Sequence, residues 1–207
     1  MDQRRARGQR NRQALIEAAL TLFTEQGFDA TTTDQIAARA GVSPRTLFHH
    51  FPDKEEILFD QQADRLESAI SVFRTKRDEP LAEALFAVAR AVATAILDQG
   101  EVFPARARMY GQFPALRSRM LAINEKWIDQ VSTEVAERYG VDPRLDPRPR
   151  VAASIVNSTN RATIEAWLAR GCADDLTDMI LRSAELLRPS IDLIEQLLTK
   201  GTPAHGR

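Results

Sequence analysis

The chain has 207 residues, of which 43 % are hydrophobic and 28 % charged, a composition that predicts a globular protein with a buried core and excludes a low-complexity chain. The single cysteine, Cys172, excludes an intramolecular disulfide and fits a reducing compartment. No apolar stretch follows the N-terminal arginines, and no run of about 18 apolar residues occurs, which excludes a secretory signal and a membrane span. We therefore expect a cytoplasmic protein.

Charge is distributed unevenly, although the formal net charge of the chain is −1. Residues 1–12 hold a single acidic residue, Asp2, and five arginines: Arg4, Arg5, Arg7, Arg10 and Arg12. The rest of the chain is therefore net acidic. A basic arm on an acidic body predicts an anionic partner, such as a nucleic acid, at one end of the molecule.

Helical periodicity begins directly after the arginine arm. A first helix carries apolar residues at three- and four-residue spacing, namely Leu15, Ala19, Leu22 and Phe23. Gly27 should end this helix. We expect Thr33 to cap a short second helix that bears Ile36, Ala37 and Ala40. Gly41 should end it, since glycine adopts the left-handed conformation that often follows a helix.

A third helix should begin at Ser43, whose hydroxyl can cap it, with Pro44 in the first turn, where a missing N–H costs nothing. Pro52 should end this helix, because the residue before a proline avoids the α conformation. Asp53 can cap a fourth helix, which we expect to run without a break to the charged stretch before Pro80. The N-terminal part of the chain is thus predicted to be a small helical unit.

Beyond Pro80 the periodicity predicts longer helices, over residues 81–98, about 102–111, 114–139, about 149–171 and 175–199. Pro104 and Gly111 should break the second of these segments, and Pro189 should kink or split the last. No alternating pattern of useful length predicts a strand. The sequence therefore predicts an all-α fold, with a small N-terminal three-helix unit and a larger helical body.

The stretch GVSPRTLFHHF has the pattern of a helix-turn-helix, whose second helix presents an exposed face to the major groove. Leu47 and Phe51 should face the core at four-residue spacing. Of the outward side chains, Arg45 can donate to guanine O6 and N7, Phe48 can contact a thymine methyl or a sugar, and His49 can donate to a base edge or a phosphate. The predicted outward face comprises Pro44, Arg45, Phe48 and His49.

Residues around this face can supply contacts that do not depend on sequence. Thr46 and Lys54 suit phosphates, Lys54 being near the start of the fourth helix. Arg4, Arg5 and Arg7 lead into the first helix, and we expect them to contact phosphates or the minor groove. A solvated, disordered tail is the alternative for this arm.

The run TTTDQIAARAGVSPRTLFHHFPDKEEIL resembles the DNA-binding domain of the TetR family of transcriptional repressors, and AALTLFTEQGF resembles the helix that precedes it in that family. The resemblance covers roughly residues 10–60 and implies a helix-turn-helix DNA-binding domain over residues 1–54, followed by a helical effector-binding and dimerisation domain over residues 55–207. Phe48 departs from the tyrosine usual in the family, so a hydroxyl contact to phosphate is missing. By this resemblance the DNA-contacting residues include Thr33, Pro44, Arg45, Thr46, Phe48, His49 and Lys54.

The resemblance implies a ligand-responsive regulator without a cofactor, by default a repressor that binds a palindromic operator as a homodimer and leaves it when a small, mainly apolar effector binds. An enzyme is the rival class. The sequence lacks a phosphate-binding glycine loop, an HExxH motif, a cysteine pair and a nucleophile with an obvious base. An architectural DNA-binding protein without an effector is a second rival, but the helical body is larger than dimerisation requires. Activation instead of repression stays open.

Three residues near the recognition helix allow other interpretations. His49 and His50 could bind a metal ion, but adjacent helical residues diverge by about 100° and cannot share one, so we predict no metal site. His50 is expected to be a packed or hinge-facing ring and not a DNA contact. Phe48 could instead be a core residue. Cys172 is expected to be an inert residue at a helix end.

An effector pocket needs an apolar lining and a few polar groups that fix the ligand's orientation. Aromatic and amide residues recur at helical spacing on the two long helices, and further aromatic residues flank the segment around Gly111, a natural gate. Arg161 could receive an anionic group. Ordinary core packing is the alternative for all of them. The candidate ligand-binding residues are Phe103, Tyr110, Phe113, Asn124, Trp127, Asn157, Asn160, Arg161 and Trp167.

We expect a twofold homodimer built from the helices over about 149–171 and 175–199. Their apolar surface is wider than one neighbouring helix can cover, which predicts a partner, although a buried core helix has a similar pattern. The small and apolar residues of these helices are Ala152, Ile155, Ala162, Ala166, Leu176, Met179, Ile180, Leu187, Ile191, Ile194 and Leu198.

Overall fold

A computed structural model of the protein describes the backbone of residues 2–60 and 62–200. The described residues form helices and no strands, so the predicted all-α fold is confirmed. The helices are α1 (Asp2–Gln26), α2 (Thr33–Arg39), α3 (Pro44–His50), α4 (Lys54–Leu58), α5 (Gln62–Thr75), α6 (Leu81–Leu97), α7 (Val102–Gln112), α8 (Pro114–Tyr139), α9 (Arg148–Ala169), α10 (Leu176–Glu185) and α11 (Arg188–Thr199).

The chain divides into two compact units. The first comprises Met1–Gln62 and Glu101–Ser118, and the second comprises Ala63–Gly100 and Arg119–Arg207. Helix α7 therefore folds with the N-terminal helices, although the sequence assigned it to the body. The predicted division into residues 1–54 and 55–207 stays a prediction about function.

In the first unit, α1, α2 and α3 pack around a shared apolar core. Leu15, Ile36 and Leu47 are completely buried, as their spacing predicts. Thr32, and not Thr33, caps α2, because its hydroxyl accepts from the Gln35 N–H while the Gln35 side chain accepts from the Thr32 N–H. This reciprocal pair fixes the start of α2 one residue earlier than predicted.

The predicted ends of α3 are confirmed. Ser43 caps the helix by accepting from the Thr46 N–H, and Pro44 stands in the first turn. Gly41, in the turn before it, has a φ of 68°, the left-handed conformation expected there.

The expectation of one unbroken fourth helix is wrong. Asp53 does cap a helix, but α4 ends at Leu58 and α5 begins at Gln62. Asp60, between them, is buried and accepts a hydrogen bond from Arg12 Nε at 2.8 Å. A buried carboxylate requires a charged partner. Because that partner lies on α1, the break depends on tertiary contacts that no local pattern shows.

Helix α7 is continuous, contrary to the prediction that Pro104 and Gly111 break it. Pro104 is the third residue of the helix, where the backbone N–H has no partner within the helix. Gly111 is the last residue but one, so its low helix propensity costs little at a terminus. The segment is a helix of the first unit.

In the second unit, α10 packs against α6 and α9, and α11 packs against the same two helices. Helix α6 supplies much of the core, with Leu81, Leu85 and Val88 completely buried. The predicted interruption before Pro189 is confirmed, since α10 ends at Glu185 and α11 begins at Arg188. None of the helices over the described residues is long and apolar enough to span a membrane.

Candidate nucleic-acid interface

The outward face of α3 is built on a buried frame. Leu47 and Phe51 anchor the helix, with 0 % and 2 % of their surface exposed. Phe48, by contrast, is 53 % exposed, so the alternative of a core residue does not hold for it. Four side chains therefore project outward from one short, anchored helix, namely Pro44, Arg45, Phe48 and His49.

This face suits reading of base edges. Arg45 has a flexible guanidinium that is exposed and can donate two hydrogen bonds to guanine. Phe48 presents an apolar ring to solvent, and an exposed ring of this kind fits a thymine methyl group. His49 adds a polar ring on the same exposed surface. The helix thus offers charge, apolar surface and a hydrogen-bonding ring within two turns.

Two threonines flank this face. Thr46 is partly buried, and its hydroxyl lies 2.8 Å from Ser43 Oγ, within the cap of α3. Thr33 is the first residue of α2 and is partly exposed. Both lie at helix starts, where backbone N–H groups and the helix dipole favour phosphate oxygens.

Lys54 has a structural role in addition to its predicted phosphate contact. Its Nζ donates to the carbonyl oxygens of Phe28, Asp29 and Thr31 at 2.7, 3.3 and 3.0 Å. The ammonium also lies 4.4 Å from the centroid of the Phe28 ring. Lys54 therefore ties the start of α4 to the turn between α1 and α2.

The arginine arm forms the start of α1 and is not an irregular tail. Arg5, Arg7 and Arg10 are exposed on this helix, whereas the side chain of Arg4 lies outside the described residues. Arg12 differs from them, because it donates to Asp60 and lies over the Phe51 ring at 5.0 Å. A helical arm presents its charges along a rod, which favours phosphate contacts over insertion into the minor groove.

His50 is partly buried, in agreement with the packed ring that the sequence predicts. Its ring lies beside Gly8 of α1, where a Cβ would come within 4.0 Å of His50 Cε1. Burial lowers the pKa of His50, and the neighbouring His49 and Arg12 lower it further. The neutral imidazole is therefore favoured at the contact between α1 and α3.

Three predicted ligand-binding residues lie in the first unit. Tyr110 Oη donates to Leu58 O at 2.6 Å, and its ring stacks on Phe59 with centroids 5.1 Å apart. The Phe113 ring packs against Phe28 at 5.4 Å. Phe103 is partly buried on α7. These side chains join α7 to the DNA-reading helices.

The other candidates lie in the second unit, on α8 and α9. Trp127 and Asn160 are buried, and Asn124 and Asn157 are partly buried. Arg161 is exposed, with Glu165 Oε1 3.4 Å from its Nη1. Trp167 is also buried, and its Nε1 donates to the carbonyl of Asp174 at 3.0 Å, a contact that holds the turn after α9. The nine candidates are thus divided between two units.

Sequence reasoning missed two buried charged residues, Asp60 and Arg106. Arg106 Nη2 donates to the carbonyl of Ile57 at 3.1 Å. The signal available in the sequence was a lone arginine at a core position of the predicted helix, four residues before Tyr110. Its partner is a backbone oxygen, which no residue pattern identifies.

Comparison with known proteins bears on what this interface does. Residues 15–60 match the model of bacterial regulatory proteins of the tetR family, and residues 79–192 match the model of the MftR C-terminal domain. The HTH-type transcriptional regulator TcmR of Streptomyces glaucescens is 31 % identical to this chain over 192 residues, covering 88 % of this chain and 84 % of TcmR.

Two solved structures share the fold. FadR from Bacillus subtilis, a transcriptional regulator in complex with stearoyl-CoA, is 21 % identical with a TM-score of 0.59 and covers 84 % of this chain and 96 % of its own. NalD, the secondary repressor of a multidrug efflux pump in Pseudomonas aeruginosa, is 21 % identical with a TM-score of 0.61, covering 88 % and 95 %. The matched families and relatives are transcriptional regulators and not enzymes. The chain belongs to the TetR family of bacterial regulatory proteins.

Proposed function

We propose that this transcriptional regulator is a repressor, which binds a palindromic operator as a homodimer in the cytoplasm and leaves it when a small, mainly apolar effector binds. The observation that carries the DNA-binding part is the exposed face of α3. Arg45, Phe48 and His49 project from a short helix whose inner residues, Leu47 and Phe51, are buried. A helix so anchored can enter the major groove without losing its own packing.

Repression is supported by the way such a reader acts. A protein that covers a promoter prevents polymerase from using it, and no catalytic group is needed. NalD, which shares the fold, is described as a repressor. In a twofold dimer the two copies of α3 would enter successive major grooves about 34–36 Å apart, so the operator should be a palindrome with the same spacing.

The effector is proposed from the second unit, where the buried Trp127 and the partly buried Asn124 and Asn157 combine apolar surface with amides. Such a lining suits a mainly apolar molecule with a few hydrogen-bonding groups. FadR, which shares the fold, was determined with stearoyl-CoA, a ligand of this character. The remaining candidates of this unit are Asn160, Arg161 and Trp167.

The DNA-binding part is tested by selecting duplexes from a random library with the purified protein and mapping the selected site by footprinting. We expect enrichment of an inverted repeat whose half-sites lie about 10 base pairs apart, because a twofold dimer imposes its symmetry on the site. A single, asymmetric half-site would contradict the dimeric mode of binding.

The effector part is tested with a panel of apolar compounds that includes stearoyl-CoA. A true effector at 100 times its dissociation constant should stabilise the fold by about 2.7 kcal/mol and release the selected duplex. Trp127→Ala combined with Asn157→Ala should abolish release while operator binding persists. If the double variant releases DNA at the same ligand concentration, the effector binds elsewhere.

A further inference from the structure

Helix α7 is fastened to the end of α4 by two side chains. Arg106 Nη2 donates to the carbonyl of Ile57 at 3.1 Å, and Tyr110 Oη donates to the carbonyl of Leu58 at 2.6 Å. Residues four apart lie on the same face of a helix, so both donors point to one side of α7. Their acceptors are the last two residues of α4.

Helix α4 depends on these contacts because it has 5 residues, fewer than an isolated helix needs to be stable. The last four carbonyls of any helix have no partner within it, and α7 supplies donors to two of them. The positive charge of Arg106 also lies at the helix terminus where the dipole favours a cation. Arg106 is 2 % exposed, so little water can replace its protein contacts.

The residues that follow α4 are held on both sides. The Phe59 ring stacks on the Tyr110 ring with centroids 5.1 Å apart and planes 15° apart. Asp60, the next residue, accepts from Arg12 of α1 at 2.8 Å. The end of α4 is thus fixed to α7 by one aromatic stack and two hydrogen bonds, and to α1 by an ion pair.

The course of the chain gives these contacts a special position. The chain passes from one unit to the other after residues 62, 100 and 118. The first passage follows closely on Asp60, and the other two flank α7. Every covalent connection from the second unit to the recognition helix therefore reaches either the end of α4 or α7, the two elements that Arg106 and Tyr110 join.

We propose that Arg106, Tyr110 and Phe59 form a latch between α4 and α7, and that effector binding and DNA binding influence each other through it. Arg106 and Tyr110 are positioning residues, since they act on DNA through α4. The inference rests on the proposed function, because it assigns a route to the effector response. Coupling of this kind is reciprocal, so occupation of the DNA-reading face must also change α7.

Reciprocity allows a test without an effector, by hydrogen–deuterium exchange of the full-length protein. Tyr110→Phe removes one hydroxyl and keeps the ring stack. In the free variant, exchange in the peptide covering residues 54–60 should be about 2- to 10-fold faster, as the loss of one hydrogen bond predicts. Tyr139→Phe is the matched control, because Tyr139 Oη donates to Glu195 Oε1 at the same 2.6 Å but lies in the second unit.

The second measurement adds the duplex selected by the wild-type protein. Binding of this duplex should slow exchange in α7 of the wild type and of Tyr139→Phe. In Tyr110→Phe, the slowing should be largely lost even when the duplex is saturating. Unchanged exchange over residues 54–60 in Tyr110→Phe, no slowing of α7 in the wild type, or an equal effect of Tyr139→Phe would each overturn the latch.

Failure of the latch differs visibly from failure of the proposed function. If no duplex is enriched by the wild-type protein, the proposed function is overturned, and the regulatory role of the latch with it. If a duplex is enriched and bound but α7 does not respond, the proposed DNA-binding function stands and the latch alone is overturned.

Discussion

Arg45 is the residue that the structure presents best for sequence recognition, because it is exposed on an anchored helix. Arg45→Ala should weaken binding to the selected operator by about 1–3 kcal/mol and relax the preference at one base pair, as expected when a bidentate hydrogen bond to guanine is removed. Arg182→Ala, an exposed arginine of α10, is the control and should bind as the wild type does. Titrations against the operator and its single-base variants measure both effects. Equal weakening on every duplex would instead assign Arg45 to phosphate.

Lys54 tests how one side chain divides between structure and DNA. Lys54→Met keeps the aliphatic stem but loses donors to the carbonyls of Phe28, Asp29 and Thr31. We expect the free energy of unfolding to fall by about 1–3 kcal/mol, as for loss of charged hydrogen bonds. Denaturant titration measures this, with exposed Lys126→Met as the control. The salt dependence of operator binding tests the predicted phosphate contact, which requires the slope to decrease by about one.

His50 gives the first unit a pH dependence. Its pKa in the folded protein lies below the ordinary 6.5, chiefly through burial and then through His49 and Arg12. The unfolded chain therefore binds more protons, so this contribution to stability is present above pH 6.5 and is lost as the pH falls through the folded pKa. His50→Gln should remove this part of the pH dependence of unfolding. His49→Gln should reduce it less, because His49 is only the second cause. A His50→Gln profile identical to wild type would contradict the assignment.

At the scale of the element, α1 serves as a rod of positive charge. Arg5, Arg7 and Arg10 are exposed on it, and glutamine can replace them without harming the helix. The triple glutamine variant should weaken specific and random DNA alike, and the salt slope should fall by about 0.9 for each phosphate that the variant no longer neutralises. Glutamine at Arg77 and Arg90, two exposed arginines of the second unit, is the control. An unchanged slope in the triple variant would show that the arm does not contact DNA.

Local signals predicted the helix ends that local chemistry determines. Ser43 and Asp53 cap α3 and α4 through their own side chains, and these caps are visible in the sequence. The break after Leu58 was not predictable, because it depends on the pairing of Asp60 with Arg12, 48 residues away. The continuity of α7 was missed for a different reason. Proline and glycine were treated as breakers, although near helix ends both are tolerated.

At the scale of the whole molecule, residue type predicted the DNA-reading face better than the effector site. The reading face lies on one short helix, so its spacing alone separates Leu47 from Phe48. The ligand candidates were chosen for their aromatic or amide side chains on several helices, and such residues also serve packing. Tyr110 and Trp167 each donate to a backbone carbonyl, a partner that no sequence pattern reveals.

The second unit exposes apolar surface that a partner subunit would cover. Leu193 and Leu197 on α11 are 56 % and 45 % exposed, and Val151 on α9 is 47 % exposed. Arg148 Nη1 donates to the carbonyl of Leu197 at 2.6 Å, so the start of α9 lies beside the end of α11 and the three side chains belong to one region. A twofold axis through this region would bury the same apolar residues of both copies.

This patch leads to the last prediction. The wild-type protein at micromolar concentration should sediment as a dimer, and Leu193→Asp combined with Leu197→Asp should give a monomer, because a dimer would bury two unpaired carboxylates from each copy. Leu145→Asp is the matched control, since Leu145 is 84 % exposed in the loop before α9 and should not affect assembly. The monomeric double variant should keep the helical content of the wild type, as both positions are exposed. It should also lose operator affinity, since one copy of α3 reads a single half-site. A wild-type monomer on operator DNA would refute the dimer, and a double variant that stays dimeric would place the interface on another surface.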